Sequence, residues 1–145
     1  MLLPAFSGVV LRHGSHFLLI QRQSNAKYWP LYWGFPGGKV EENESPLDAA
    51  IRETMEEIGV WIFPESIISQ IEINAKYIDG DRKNILFLME VWDGTPENLE
   101  PKIHKTCQWF TLDELPEPMI PHVREGLFAL LKWEEAFFYN GMGDM

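Results

Sequence analysis

Residues 45–58, SPLDAAIRETMEEI, carry helix signals at both ends, and the rest of the fold has to be built around them. Ser45 can cap the first free backbone N–H groups. Pro46 suits the first helical position, where no N–H is needed, and Asp48 lies at the positive end of the helix dipole. Gly59 is the natural stop, because helices commonly end on a left-handed residue that glycine adopts without steric cost. Leu47, Ala50, Ile51, Thr54 and Ile58 recur at three- and four-residue spacing and form an apolar stripe that should face a core. Glu53, Glu56 and Glu57 form a second stripe, roughly 120° around the axis from the first. One short segment therefore buries one side and gathers three negative charges on another.

Strands are predicted on either side of this helix. Residues 5–12 and 16–21 read as a β-hairpin closed by His13-Gly14-Ser15. Residues 24–30 are polar and aromatic and read as a loop, and 31–35 form a short strand running into the Pro36-Gly37-Gly38 turn. Residues 67–77 and 84–92 are two more strands around Asp79-Gly80-Asp81, and 107–110 a last short one. Residues 111–115 suggest one helical turn. Residues 121–138 suggest a C-terminal helix with Val123, Leu127, Leu130 and Leu131 along one side. Strands mixed with two main helices predict an α/β sandwich. No repeat or linker divides the sequence, so residues 1–145 are expected to form one domain. The aromatic run Trp133, Phe137, Phe138 and Tyr139 would cover the core or make a dimer contact, and residues 140–145 should fray.

Charge narrows the function. There are 12 basic against 22 acidic residues, a net charge of −10. Such a surface repels phosphate backbones, so nucleic acid is not an expected partner. It can still hold a phosphorylated small molecule if divalent cations stand between carboxylates and phosphates. The longest apolar runs are far too short to span a bilayer, and the first ten residues read as a strand rather than a signal peptide. The single cysteine, Cys107, excludes an intrachain disulfide and fits a reducing, cytoplasmic compartment. With 46% apolar residues the composition is that of a soluble globular protein.

Three glutamates on one helix face can be no more than a solvated acidic surface. The alternative is a cation that bridges them and relieves their repulsion, and all-oxygen ligation suits Mg²⁺ or Mn²⁺. The surrounding residues favour the second reading. Residues 38–60, GKVEENESPLDAAIRETMEEIGV, resemble the Nudix box, G-x5-E-x7-R-E-U-x-E-E-x-G-U, in which U is a bulky aliphatic residue. Gly38, Glu44, Arg52, Glu53, Glu56, Glu57, Gly59 and Val60 all match. Thr54, at the first U position, is the one departure.

The resemblance implies an α/β/α sandwich with a mixed sheet. It also implies Mg²⁺- or Mn²⁺-dependent cleavage of a diphosphate linkage by water. Carried over position by position, Glu53, Glu56 and Glu57 look like metal ligands, with a backbone carbonyl of the Gly37-Gly38 turn nearby. Arg52 and Glu44 look like residues that hold those carboxylates in place, although Arg52 would also suit a plain surface pair with Glu56. Either Glu53 or Glu56 could double as general base. Lys39 is either a phosphate contact or a solvated turn lysine. Arg22 is either a basic residue near the substrate or a plain surface arginine.

Outside the box, LLIQRQS at 18–24 and WGFPGGKVE at 33–41 look most like MutT-type nucleoside triphosphate pyrophosphohydrolases. The expected partner is then a small nucleotide, and the products a monophosphate and pyrophosphate. Downstream, PENLEPKIHKTCQWFTLDELP at 96–116 resembles a stretch of that branch, but Lys105 falls where relatives often carry an acidic residue. Glu97 and Glu100 are alternatives for that acidic role. Tyr28, Trp29, Tyr32 and Trp33 are candidates to stack on a base, with packing expected for at least two of them. Asn84, Met119 and His122 are further pocket candidates. ADP-ribose, a dinucleoside polyphosphate or a prenyl diphosphate are the competing substrates. A non-catalytic nucleotide-binding module is a third reading, disfavoured because every box glutamate is present. The oligomer is expected to be a monomer or homodimer.

Overall fold

In the computed structural model, which describes residues 3–136, the predicted helix is α1, Pro46–Ile58. The Ser45 hydroxyl accepts from the Asp48 N–H at 3.0 Å, and Gly59 turns left-handed at φ 71° while its N–H returns to the Met55 carbonyl. Both ends are thus closed by the residues expected to close them. The other elements are strands β1 (Phe6–His13), β2 (His16–Arg22), β3 (Trp33–Gly34), β4 (Gly37–Lys39), β5 (Trp61–Ile62), β6 (Ile67–Tyr77), β7 (Gly80–Met89), β8 (Trp92–Asp93) and β9 (His104–Thr111), and helix α2 (Pro121–Ala136).

The main sheet runs β3-β2-β1-β7-β6, with β4 added to β1 and β9 added to β2. β1 and β7 are parallel and the other pairs antiparallel, so the sheet is mixed. Alternation along the central strands sorts the core. Val9, Leu11, Ile85, Phe87 and Met89 face α1, and Val10, Leu86 and Leu88 face α2. A sheet covered on both faces has strands that read as continuous apolar runs, as β1 and β7 do. The α/β/α sandwich expected from the sequence is the observed architecture.

One departure from a simple hairpin positions the site. β1 and β2 pair only beside their turn, at Arg12–Phe17 and His13–His16. Beyond that they splay, and β1 takes β4 as its partner through Phe6–Lys39, Ser7–Gly38 and Gly8–Gly37. The expected Gly37-Gly38 turn is therefore the start of a strand. It lies so close to β1 that a side chain at Gly37 (φ 156°) would strike the Ser7 carbonyl and come within 2.6 Å of the Gly8 Cα.

Other boundaries shift as well. β7 begins at Gly80 and β9 at His104, both earlier than their apolar runs suggest. Pairing carries strands into polar residues there, Gly80 opposite Tyr77 and His104 opposite Arg22. Trp61–Ile62 and Trp92–Asp93 form a small separate sheet that had no signal of its own. Phe137, Phe138, Tyr139 and the tail beyond lie outside the described residues, as does the side chain of Trp133.

Candidate active site

The three box glutamates face one region but are not equivalent. Glu57 lies at the edge of the apolar stripe and is 2% exposed, whereas the side chain of Glu56 is 52% exposed and that of Glu53 intermediate. An evenly solvated acidic face is therefore not what the helix presents. Among the described residues no trio of carboxylate, His or Cys side chains converges on one point.

Arg52 ties several of these groups together. Its Nε and Nη2 donate to the two oxygens of Glu44 at 2.8 and 2.9 Å, and its Nη1 donates to Glu53 at 2.9 Å. The same Nη1 lies 3.4 Å from Glu56, and Nη2 reaches the Lys39 carbonyl at 3.1 Å. Glu44 accepts the Glu41 N–H as well. With the Arg52 hydrogen bond as the main cause, the Glu44 carboxyl is held down to about 2, and the Arg52 guanidinium is held above its ordinary range in return. Arg52 thus links Glu44 and the Lys39 carbonyl of β4 to Glu53 in the middle of α1.

Glu57 is the anomaly. Its Oε1 accepts the Gly37 N–H at 3.0 Å. Its Oε2 is buried with no hydrogen-bond partner among the described residues, although Nε2 of His104 lies 3.2 Å away. Burial, and then the neighbouring charge of Glu53, push the Glu57 carboxyl well above the usual carboxylate range, against the pull of the Gly37 N–H. His104 cannot supply the missing charge. Burial and the Arg22 cation beside it lower its pKa to about 4, so it is neutral at neutral pH.

The residues present fit a divalent cation. A buried carboxylate with an unpartnered oxygen, against a second carboxylate, is costly unless a cation joins them. Hard all-oxygen donors are the set that Mg²⁺ and Mn²⁺ accept. Gly38 makes the space: a Cβ there would lie 2.6 Å from the Glu53 carboxyl carbon. Thr54 is fully buried, and its hydroxyl bonds back to the Ala50 carbonyl at 2.6 Å. The departure from an aliphatic residue therefore leaves no polar atom unsatisfied.

The loop before β9 closes the far side. The Glu97 and Leu99 N–H groups cap the carbonyls of Ile58 and Glu57, which end the helix. Glu100 is the acidic residue this loop brings close, its carboxyl raised by partial burial and then by the charges of Glu53 and Glu56. Lys105 is exposed, and so is Glu97.

Beside these groups a cavity of about 420 Å³ lies between the splayed strands and α2. Arg22 lines it, with its Nε donating to the Tyr28 carbonyl at 2.7 Å, and Lys39 lines its rim. Tyr28 and Trp29 are at its wall, as are Asn84 and His122. Trp33 is not where a stacking residue should be: it is 8% exposed, in the core, edge-on to Phe110 at 5.0 Å. Met119 is core too, and Tyr32 packs against the same cluster. Three of the four aromatics before the box, Trp29, Tyr32 and Trp33, pack in or against that cluster, where packing was expected for at least two, and Tyr28 and Trp29 line the cavity. Phe6, Tyr77, Arg82 and His104 also line it and were not anticipated. They come from strand positions whose neighbours are set only by register, β1–β7 and β6–β7 for Phe6, Tyr77 and Arg82 and β2–β9 for His104.

A family model described as NUDIX domain matches residues 1–131. The 8-oxo-dGTP diphosphatase of Escherichia coli (strain K12) is 30% identical over 125 residues, covering 85% of this chain and 92% of that protein. The m7GpppN-mRNA hydrolase dcap-2 of Caenorhabditis elegans is 38% identical over 89 residues, covering 58% of this chain; this chain spans only 11% of that protein. Among solved structures, a MutT NUDIX hydrolase from Burkholderia pseudomallei superposes with a TM-score of 0.75 at 27% identity, covering 86% of this chain and 95% of the other.

Proposed function

The chain belongs to the NUDIX family, and on that premise we propose that it hydrolyses the diphosphate linkage of a nucleoside triphosphate, releasing the monophosphate and pyrophosphate. The observation that carries this reading is the buried Glu57 oxygen without a partner, set against Glu53 and Gly38 beside a cavity lined by Arg22. The match to the Escherichia coli 8-oxo-dGTP diphosphatase, which extends over nearly all of that protein, favours a triphosphate over ADP-ribose or a prenyl diphosphate.

NUDIX hydrolases are generally dependent on a divalent metal, and in this chain Mg²⁺ or Mn²⁺ would be held by Glu53, Glu56 and Glu57, with the Gly38 carbonyl close by. When bound, the cation supplies Lewis acidity and charge neutralisation at the diphosphate oxygens. Arg52 and Glu44 fix the direction in which Glu53 presents its oxygens. Arg22 and Lys39 bind phosphate oxygens. A water attacks phosphorus, the bond to the bridging oxygen breaks, and the water proton passes to a carboxylate. Glu56 is the carboxylate best placed to accept it, because it is the most exposed of the three and its contact with Arg52, at 3.4 Å, is longer than the 2.9 Å contact of Glu53.

The test is product analysis on a panel with and without chelator. The panel holds natural and oxidised nucleoside triphosphates, a dinucleoside polyphosphate, ADP-ribose and a prenyl diphosphate. Monophosphate and pyrophosphate from a triphosphate, abolished by chelator, is the expected result. Cleavage confined to another substrate would move the enzyme to a different branch. Silence throughout, with binding retained, would make it a nucleotide-binding module.

A further inference from the structure

β6 closes one end of the main sheet, and among the described residues it pairs with β7 alone. It runs for 11 residues with no proline, and its one irregularity lies at the Ile67 end. The Tyr77–Gly80 pair brackets the turn residues Ile78 and Asp79, so it is a hydrogen-bonded pair, and such pairs alternate along an antiparallel ladder. Tyr77, Ala75, Ile73 and Ile71 therefore spend their backbone groups on β7. Gln70, Glu72, Asn74 and Lys76 turn theirs outward. The side chains of these four share the face of the sheet opposite α2, and all four are exposed.

An open row of N–H and C=O groups is a template for another strand, and charges on an edge commonly guard against such pairing. Here the guards are of opposite sign, two residues to either side of Asn74. Among the described residues the only ion pair on β6 joins Glu72 to Lys83, exposed and 3.9 Å long, a contact that holds Glu72 weakly. Set a second copy antiparallel along this edge with the two-fold axis at Asn74. Glu72 of each copy then stands opposite Lys76 of the other. On the α2 face Ile73 meets Ala75, and Ile71 meets Tyr77. Ile78, 93% exposed at the turn, comes opposite Gln70 and gains cover. The neighbouring registers are worse. An axis at Glu72 or Lys76 sets like charges face to face, and an axis at Ile73 or Ala75 leaves both charges opposite neutral residues.

We propose that the outer edge of β6 is a self-association surface, on which a second copy of this chain pairs antiparallel about Asn74 with reciprocal Glu72–Lys76 contacts. About six backbone hydrogen bonds join the two sheets into one. The charges that exclude other registers select this one. Neither Glu72 nor Lys76 lines the cavity, so the association stands apart from the proposed reaction. A single strand pair buries little area, and the dimer is therefore weak and concentration-dependent.

Sedimentation equilibrium of the full chain from about 10 µM to about 1 mM should show a reversible monomer–dimer equilibrium. Glu72→Lys and Lys76→Glu, measured separately, should each weaken it about tenfold or more, because each turns two attractive pairs into two repulsive ones. Mixed in equal amounts, the two variants should dimerise with each other about as well as wild type, since the mixed pair again sets opposite charges face to face. Hydrogen exchange on wild type gives a reading that needs no variant. The N–H groups of Glu72, Asn74 and Lys76 should exchange more slowly at the high concentration than at the low one. A chain that stays monomeric at about 1 mM overturns the proposal. So does a dimer that both variants leave unchanged, a mixture no tighter than either variant alone, or exchange at those three groups that does not change with concentration.

Discussion

The α1 end of the site and the α2 end of the cavity are built in opposite ways. At α1, Glu44, Arg52, Glu53, Glu56 and Glu57 lie within one loop and one helix, and helical spacing alone puts them together. At the other end, Tyr28, Tyr77, Asn84 and His122 come from a loop, two strands and a second helix, and only sheet register and α2 packing bring them within reach. The first region is dense in charge and braced by Arg52. The second is aromatic, with a few polar atoms fixed by hydrogen bonds. On the proposed function, the chemistry is set where the sequence is local, and the cavity beside it is shaped where it is not.

The sharpest way to break this contrast is at Glu57. Glu57→Gln should lower kcat/KM by about a hundredfold or more, because it removes a proposed ligand charge. The same change should leave the metal-free protein as stable as wild type or more so, since an ionised carboxyl buried beside Glu53 carries a desolvation cost that an amide does not. Thermal melts in chelator alongside steady-state rates check both halves. A variant that melts lower in chelator and turns over normally would make Glu57 a structural residue.

Gly38→Ala is the next largest effect. The new Cβ would press on the Glu53 carboxyl at 2.6 Å, and Glu53 would have to leave its contact with Arg52. We expect a loss of about ten- to a hundredfold in activity, the range seen when a residue that orients a metal ligand is disturbed. Apparent Mg²⁺ affinity, read from the metal dependence of the rate, should weaken in parallel. If activity fell while the metal dependence stayed fixed, the glycine would serve the substrate rather than Glu53.

The contrast also explains how much the sequence reveals. Helix α1, its caps, the carboxylate face and the sandwich class follow from spacing and local signals, because a helix places neighbours by sequence alone. The burial of Glu57 does not follow. It depends on Gly37 being drawn onto the helix by the splay of β1 from β2, a tertiary event. Likewise Trp33 and Trp29 are only four residues apart and both aromatic, yet Trp33 is buried inside the core cluster whereas Trp29, half-buried, packs against that cluster and also lines the cavity. Arg82 and Tyr77 are invisible as pocket residues until register pairs β6 with β7.

At the cavity end a smaller effect is expected from Trp29→Leu. The ring lies 5.2 Å from Tyr32 and 6.3 Å from His122. Losing one aromatic surface should raise KM about fivefold with kcat little changed. A fall in kcat without a change in KM would place Trp29 in the reacting geometry rather than the binding wall.

The smallest effect is a stability change at His122. Burial between β6 and α2 lowers its pKa from 6.5 to about 4, and its ring neighbours there, Tyr77 and Trp29, are uncharged at neutral pH. Between those two values the unfolded chain binds a proton at this position and the folded chain does not. The neutral ring therefore contributes its full stability above pH 6.5, and that contribution is lost as pH falls toward 4. Allowing for the solvent that still reaches the ring, about 1–2 kcal/mol is involved. Urea unfolding of wild type and His122→Gln at pH 7 and pH 5 isolates the difference, because every other group titrates in both proteins. Wild type should lose more stability than the variant on acidification. An equal loss would mean that the ring protonates inside the fold, so that burial against Tyr77 and Trp29 does not keep it neutral.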